Sequence, residues 1–376
     1  MEAIKVLTIF GTRPETIKMA PLVRELQSRP EIQCTVCVTA QHRQMLDQVL
    51  EAFAITPDYD LNIMQHGQTL SDITARALKG LEEVIRQVKP DIVLVHGDTT
   101  TTFAGALAAF YQQVAIGHVE AGLRTHNKYS PYPEEMNRQF VSAMADMNFA
   151  PTAKSRDNLL REGRDPAGIF VTGNTAIDAM RITVRPDYED ALTAWASDSR
   201  LITLTAHRRE NLGEPMRGMF RAIRRILDAH PDVKVVYPVH LNPLVRSVAE
   251  EILGDCDRVR LVEPLEVVPF HNLLAHSYMI LTDSGGIQEE APSLGKPVVV
   301  LRDTTERPEG IEAGTLKLAG TEEERIVELV EELLNDREEY ERMSRASNPY
   351  GDGYASRRIA DAIVARFRGD GQERLC

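Results

Sequence analysis

The chain has 376 residues, 43% of them hydrophobic and 26% charged, with a formal net charge of −13. That length exceeds one comfortable core and fits two domains, and the composition excludes wholesale disorder. A surface this acidic excludes a nucleic-acid or anionic-membrane partner held by a basic face, so any anionic ligand needs a local basic site.

The N-terminus runs straight into a strand pattern without a basic segment, an apolar stretch or a small-residue cleavage site, and no apolar run reaches membrane-spanning length. A cytoplasmic protein is expected. Strands are predicted at Ile4–Phe10, Gln33–Val38, Asp91–Val95, Val114–Val119, Met147–Ala150 and Ile169–Thr172. Amphipathic stretches at Pro21–Ser28, Gln44–Ala54 and Ser71–Val88 separate them. Cys34 and Cys37 stand three apart in a strand pattern, where they point to opposite faces. They read as core, and neither a disulfide nor a metal site is expected. A second series of strands follows at Leu201–Thr205, Val233–Tyr237, Val259–Val262, Tyr278–Thr282, Pro297–Leu301 and Leu316–Leu318. Its helices are expected at Met216–Asp228, Leu244–Glu251, Val268–Ala275, Gly286–Ser293 and Glu322–Asn335. Continuous apolar strands alternating with helices predict parallel sheets covered on both faces. After the turn Asn348-Pro-Tyr-Gly-Asp-Gly, Ile359, Ile363, Val364 and Phe367 share one helical face, and that helix is expected to cross back to the first half. The expected fold is α/β, two Rossmann-like doubly wound domains facing a cleft. The first spans 1–172 plus 355–376, the second 173–354.

Ligands of open parallel sheets bind beyond the carboxyl ends of the strands. After the first strand, Gly11-Thr-Arg-Pro-Glu-Thr-Ile-Lys18 opens a helix, and Arg13 and Lys18 flank its N-terminus, an anion site. The plain alternative is a turn with solvated bases. The chain carries neither G-x-G-x-x-G nor G-x-x-x-x-G-K-[ST], which weakens NAD, FAD and ATP as partners. Asp98 and Glu120 each follow an apolar strand. Asp98 also reads as a helix cap; Glu120, followed by Ala-Gly, reads as chemistry. A helix is expected to begin at Pro133, its first position, with Glu134 in the first turn, where an acid also suits the helix dipole. Together the three carboxylates offer an acid/base site. In the second half, His207-Arg208-Arg209 and then His240 leave consecutive strands. Asp283-Ser284-Gly285-Gly286 would let backbone N–H groups approach a pyrophosphate, Glu290 would reach a ribose diol, and Arg307 adds a cation. The second half thus reads as a nucleotide-diphosphate clamp and the first as the carboxylate side.

FGTRPETIKMAPL, VCVTAQHRQMLDQVL, VLVHGDTTTT, GHVEAGLRT, YSPYPEEMNR, HRREN, YPVHLNP, LTDSGGIQEEAPSLGKPV, LRDTTERPE and NPYGDG, in this order, resemble the bacterial non-hydrolysing UDP-N-acetylglucosamine 2-epimerases along nearly the whole chain. The resemblance implies a glycosyltransferase-B type fold, a homodimer, no cofactor, and interconversion of UDP-N-acetylglucosamine with UDP-N-acetylmannosamine for cell-surface polysaccharide synthesis. It implies Asp98, Glu120, Glu134 and His207 as catalytic residues. Nucleotide contacts carry over to Arg13, Lys18, Phe270, Ser284, Gly285, Gly286, Glu290 and Arg307. A second UDP-N-acetylglucosamine, bound as activator, would meet Gln41, His42, Gln44, Arg208 and His240, and also Glu134. Two departures stand out. Gly67 replaces the arginine of regulated members, and His126 replaces the more usual glycine. The rivals are a sister epimerase for another UDP-2-acetamido sugar, a glycosyltransferase of the same architecture, and a nucleotide-sugar sensor without chemistry.

Overall fold

A computed structural model describes residues 2–40, 43–65 and 67–369, with side chains of 43–45 outside the description. The chain divides into two compact units, residues 2–179 with 350–369, and residues 180–349.

The first unit holds β1 (Ile4–Phe10), α1 (Arg13–Gln27), β2 (Ile32–Val38), α2 (Arg43–Ala52), β3 (Tyr59–Asp60), α3 (Leu70–Val88), β4 (Ile92–His96) and α4 (Thr100–Tyr111). It continues through β5 (Ala115–Val119), α5 (Glu134–Met144), β6 (Met147–Ala150), α6 (Ala153–Arg161), β7 (Ile169–Val171) and α7 (Thr175–Thr183), the helix in which the division falls. Its strands are all parallel, in the order β3-β2-β1-β4-β5-β6-β7. The order reverses between β1 and β4, the switch point at which such sheets open toward ligands. Leu7, Ile9, Val93 and Val95 pack into one core layer, while their neighbours Val6, Phe10, Ile92 and Leu94 are buried on the other face. Period-two alternation with both faces buried explains why these strands read as continuous apolar runs.

The second unit holds α8 (Ala191–Ala196), β8 (Arg200–Thr205), α9 (Glu214–Ala229), β9 (Val233–Pro238), α10 (Pro243–Leu253), β10 (Val259–Val262), α11 (Val267–His276) and β11 (Met279–Thr282). Then come α12 (Gly285–Glu290), β12 (Val298–Val300), α13 (Pro308–Glu312), β13 (Leu316–Leu318), α14 (Glu323–Asn335) and α15 (Arg337–Ser344). Its sheet is also parallel, β10-β9-β8-β11-β12-β13, and reverses between β8 and β11. Met279 and Leu281 join the core layer of Ile202 and Leu204; Ile280 faces a second layer with Val298 and Val300. Each such fully buried side chain contributes roughly 1.5–3 kcal/mol. Two Rossmann-like units result, as the sequence predicts.

The last helix, α16 (Ala355–Arg368), belongs to the first unit. The Asp178 carboxylate accepts the first N–H groups of that helix, from Ala355 at 3.1 Å and Ser356 at 2.8 Å. Asn174 donates its N–H to the Tyr350 carbonyl at 2.7 Å. These bonds draw residues 173–179 and 350–354 into the first unit. Ile359 and Ile363 are fully buried, and Arg29 pairs with Asp361 at 2.8 Å.

Candidate active site

The carboxyl edge of the first sheet gathers most of the carboxylates. The β1 turn leads into α1, whose start is tied down by Glu15. This buried carboxylate accepts the N–H of Gly11 at 3.0 Å and of Thr12 at 2.8 Å, and the hydroxyls of Thr99 at 2.6 Å and Thr102 at 3.0 Å. Burial pushes its pKa up against those four bonds. The N–H groups of Gly11 and Thr12, just before the helix start, are therefore already bonded to Glu15. Arg13 and Lys18, both half-buried, stand on α1.

Asp98 leaves β4, but it does not cap α4. Thr99 is the cap, its hydroxyl accepting the N–H of Thr102. The Asp98 carboxylate instead accepts from Arg138 of α5, at 2.8 Å from Nε and 2.6 Å from an Nη. Asn137, one residue earlier, donates its amide to the Asp98 carbonyl at 2.8 Å. Glu134 lies on the first turn of that same helix, one turn from Arg138; Pro133 stands at the cap position and not inside the helix. Glu135 accepts the N–H groups of Thr125 at 3.0 Å and His126 at 3.1 Å, fixing the loop before α5. His126 adopts φ +60°, a left-handed backbone that glycine enters freely.

Glu120 leaves β5 with φ +64°, an uncommon conformation for a residue with a β-carbon. Its carboxylate forms an ion pair with Lys18 and accepts the Asn174 amide at 2.9 Å. A β-carbon built on Gly97 would lie 3.4 Å from Glu120 Oε2, which sets Glu120 beside the Asp98 turn. His96, the last residue of β4, places Nε2 3.8 Å from that same oxygen. Burial drives the His96 pKa down to about 4, and His118 next to it likewise to about 4. Asp98 and Glu120 thus leave adjacent strand ends side by side, and Glu134 stands one turn before the arginine that grips Asp98.

The second sheet assembles its own cluster. His207 leaves β8 and stacks on His240, with ring centroids 5.5 Å apart and planes 9° apart. Ser284 stands at the start of α12 without a side-chain cap bond, and a β-carbon on Gly285 would come within 3.2 Å of the Arg307 guanidinium. Arg307 Nε donates to Glu289 at 2.7 Å, and Glu290 Oε1 lies over Gly286, 3.5 Å from its built β-carbon. Phe270 of α11 is half-buried against Ile287 and its neighbours. Arg208 donates through Nε to the Asp283 carbonyl at 3.3 Å, so Arg208 and His240 both border His207. Gln41 and His42 lie outside the described residues, as does the Gln44 side chain. Gly67 adopts φ +71° with open space around it.

Four positions were given no role of their own by the sequence reading. Arg138, Asn174, His96 and Asp283 all touch the candidate residues. The strand-end rule that found Asp98 also points to His96 and Asp283, each at the end of its strand. Arg138 is signalled only by its four-residue spacing from Glu134.

The profile of the UDP-N-acetylglucosamine 2-epimerase family matches residues 24–364. A UDP-N-acetylglucosamine 2-epimerase of Bacillus subtilis is 65% identical over 98% of this chain and 97% of its own. A crystal structure from Listeria monocytogenes, described as a UDP-N-acetylglucosamine 2-epimerase, is 59% identical, covers 98% of both chains and superposes with a TM-score of 0.94. The enzyme of Neisseria meningitidis, solved bound to UDP-N-acetylglucosamine, is 50% identical over 96% of this chain and 100% of its own, with a TM-score of 0.88.

Proposed function

The chain belongs to the UDP-N-acetylglucosamine 2-epimerase family and is an isomerase, and from that premise we propose that it interconverts UDP-N-acetylglucosamine and UDP-N-acetylmannosamine by elimination and re-addition of UDP. The observation that supports this reading is Asp98 and Glu120 at adjacent strand ends of one sheet edge, with Glu134 on the helix whose Arg138 holds Asp98. The C2 proton of the sugar is not adjacent to a carbonyl, so direct removal is prohibitive. Breaking the C1–O bond as the C2 proton departs gives 2-acetamidoglucal and UDP. Return of a proton to the opposite face of C2, with UDP re-adding at C1, gives the epimer. Removal and delivery on opposite faces call for two acid/base groups, and three carboxylates can supply them.

The second unit supplies the diphosphate clamp in this reading. Ser284, Gly285, Gly286 and Arg307 meet phosphate oxygens, Glu290 takes the ribose diol, and Phe270 lies against the nucleotide. His207 stabilises the charge that develops on the departing UDP. Arg13 and Lys18 extend the cationic set. Lys18 is also the counter-ion of Glu120. UDP-N-acetylmannosamine is the product that cell-surface polysaccharide assembly would consume. A second UDP-N-acetylglucosamine at Arg208 and His240 would act beside His207, and Gly67 removes one cation from that activator site.

A homodimer completes the proposal. Phe110 and Tyr111 at the end of α4 are 56% and 67% exposed, and Phe140 on the adjoining α5 is 47% exposed. Large exposed rings on neighbouring helices suit a surface that is covered on assembly.

Proton NMR of UDP-N-acetylglucosamine with the pure protein in heavy water tests the chemistry. Signals of the C2 epimer, with deuterium at C2 in both sugars, are expected. Epimer that retains its C2 proton defeats elimination, and transfer of the sugar to an added acceptor would favour a glycosyltransferase. Glu120→Gln is expected to lower turnover about 10²–10⁴-fold while UDP still binds by calorimetry.

A further inference from the structure

His207 and Asp283 leave β8 and β11, the neighbouring strands between which the second sheet reverses its order. Asp283 is fully buried. One carboxylate oxygen accepts the N–H of His207 at 2.7 Å, the N–H of Arg208 at 2.8 Å and the Asn211 amide at 3.3 Å. The other oxygen lies 3.3 Å from His207 Nδ1 and receives no hydrogen bond of ordinary geometry among the described residues. A buried acceptor left without a donor is costly, so this oxygen calls for one. The Nδ1–H of His207 needs only a small ring rotation to supply it. The same ring is held from its face by His240 and is 39% exposed, which leaves its far edge open to a ligand.

We propose that Asp283 is the positioning residue of His207, taking the Nδ1–H so that Nε2–H points at the diphosphate, and favouring the imidazolium while UDP leaves. The inference rests on the role given to His207 above. No proton moves to Asp283. Its charge balances the ring, as a buried aspartate does behind the histidine of a hydrolase triad. The groups facing His207 are Asp283 from β11, His240 from the β9 turn, and Arg208 and Glu210 from its own loop. Burial depresses the His207 pKa, and Asp283 is the strongest influence opposing it.

The test is ¹⁵N NMR of histidine-labelled, UDP-saturated full-length protein, with kcat and KM measured across pH. In the wild type, neutral His207 is expected as the Nδ1–H tautomer; a bare Nδ1 there overturns the proposal, whether or not any variant folds. Asp283→Asn keeps an oxygen for the two backbone N–H groups but turns an amide donor toward Nδ1. It is expected to lower the imidazolium pKa by about one unit or more. Near neutral pH kcat should drop roughly tenfold or more with KM little changed, and the deficit should shrink toward acid pH. An unaltered His207 titration in Asp283→Asn overturns the proposal. Asn211→Ser loosens the same carboxylate without removing its charge and should leave the titration of His207 in place. An equal shift in that variant makes Asp283 merely a loop tie and overturns the proposal too. His207→Gln separates the premise: unchanged turnover there defeats the role of His207 itself, while the tautomer measurement still decides the contact.

Discussion

Glu120 shows how much of a site is set by one residue's surroundings. Its backbone sits at φ +64°, and its carboxylate is shared by Lys18 and Asn174. Asp98 is held in the same manner by Arg138, through two nitrogens of one planar guanidinium. Sequence reading found both acids because they follow apolar strands. It did not find Arg138, since a grip across 40 residues leaves no local pattern. Arg138→Met should free Asp98 to swing, and a misplacement of about 1 Å costs on the order of 10² in rate. We expect kcat to fall by about that factor with KM changed far less, because Arg138 acts by holding the Asp98 carboxylate. Steady-state kinetics checks this, and wild-type kcat in Arg138→Met would make the ion pair irrelevant to turnover.

At the scale of elements, the strands were legible because burial on both faces turns each into an unbroken apolar run. The two-residue β3 was not, since it pairs only Tyr59 and Asp60 with the end of β2. Helix α4 was anticipated only through a cap at its start, and its extent was not legible for the opposite reason. Thr100, Thr101, Thr102, Ala104, Gly105, Ala106, Ala108 and Ala109 are all buried, so no polar face gives the segment a helical period. Tight element junctions carry two predictions. Gly122 follows Glu120 with φ +90°, and a β-carbon there would stand 2.2 Å from the Ser155 carbonyl oxygen at the start of α6. Gly122→Ala should destabilise the protein by more than about 1 kcal/mol in denaturant titration and displace Glu120 enough to lower kcat. The second prediction concerns β4 and β5, which bury His96 and His118 with pKa values driven to about 4 from the ordinary 6.5. Between those values the unfolded chain binds more protons than the folded one. Stability is therefore full above about pH 6.5 and is lost as pH falls toward 4, by roughly 3 kcal/mol for each ring. Glu15, pushed upward, works in the opposite sense, so the histidines are best isolated by substitution. Melting temperature should fall from pH 7 to pH 5, and His96→Gln should flatten that fall; an unchanged slope would assign the acid sensitivity elsewhere.

For the whole molecule, two doubly wound units were legible from the repeated strand–helix alternation, and the returning helix from its turn and its apolar face. The division itself was less legible, because the bonds of Asn174 and Asp178 to residues 350–356 unite segments far apart in the chain. The surface speaks to assembly through rings and not through charge. Phe110 and Tyr111 lie 6.3 Å apart at the exposed end of α4, and Phe140 on α5 reaches Phe103 at 5.6 Å. In a chain of net charge −13, two like-charged copies repel at long range, so association must come from apolar contact at short range. Stable dimers bury about 1,200–2,000 Å² in total, with aromatic anchors near the centre. Substituting Phe110 and Tyr111 together by glutamate places charge on that centre and adds to the repulsion, while touching none of the carboxylates or the nucleotide clamp. Sedimentation velocity should then show a monomer where the wild type sediments as a dimer, with secondary structure by circular dichroism unchanged. A variant that still sediments as a dimer would remove the α4–α5 face from the interface, and a monomeric wild type would remove the homodimer altogether.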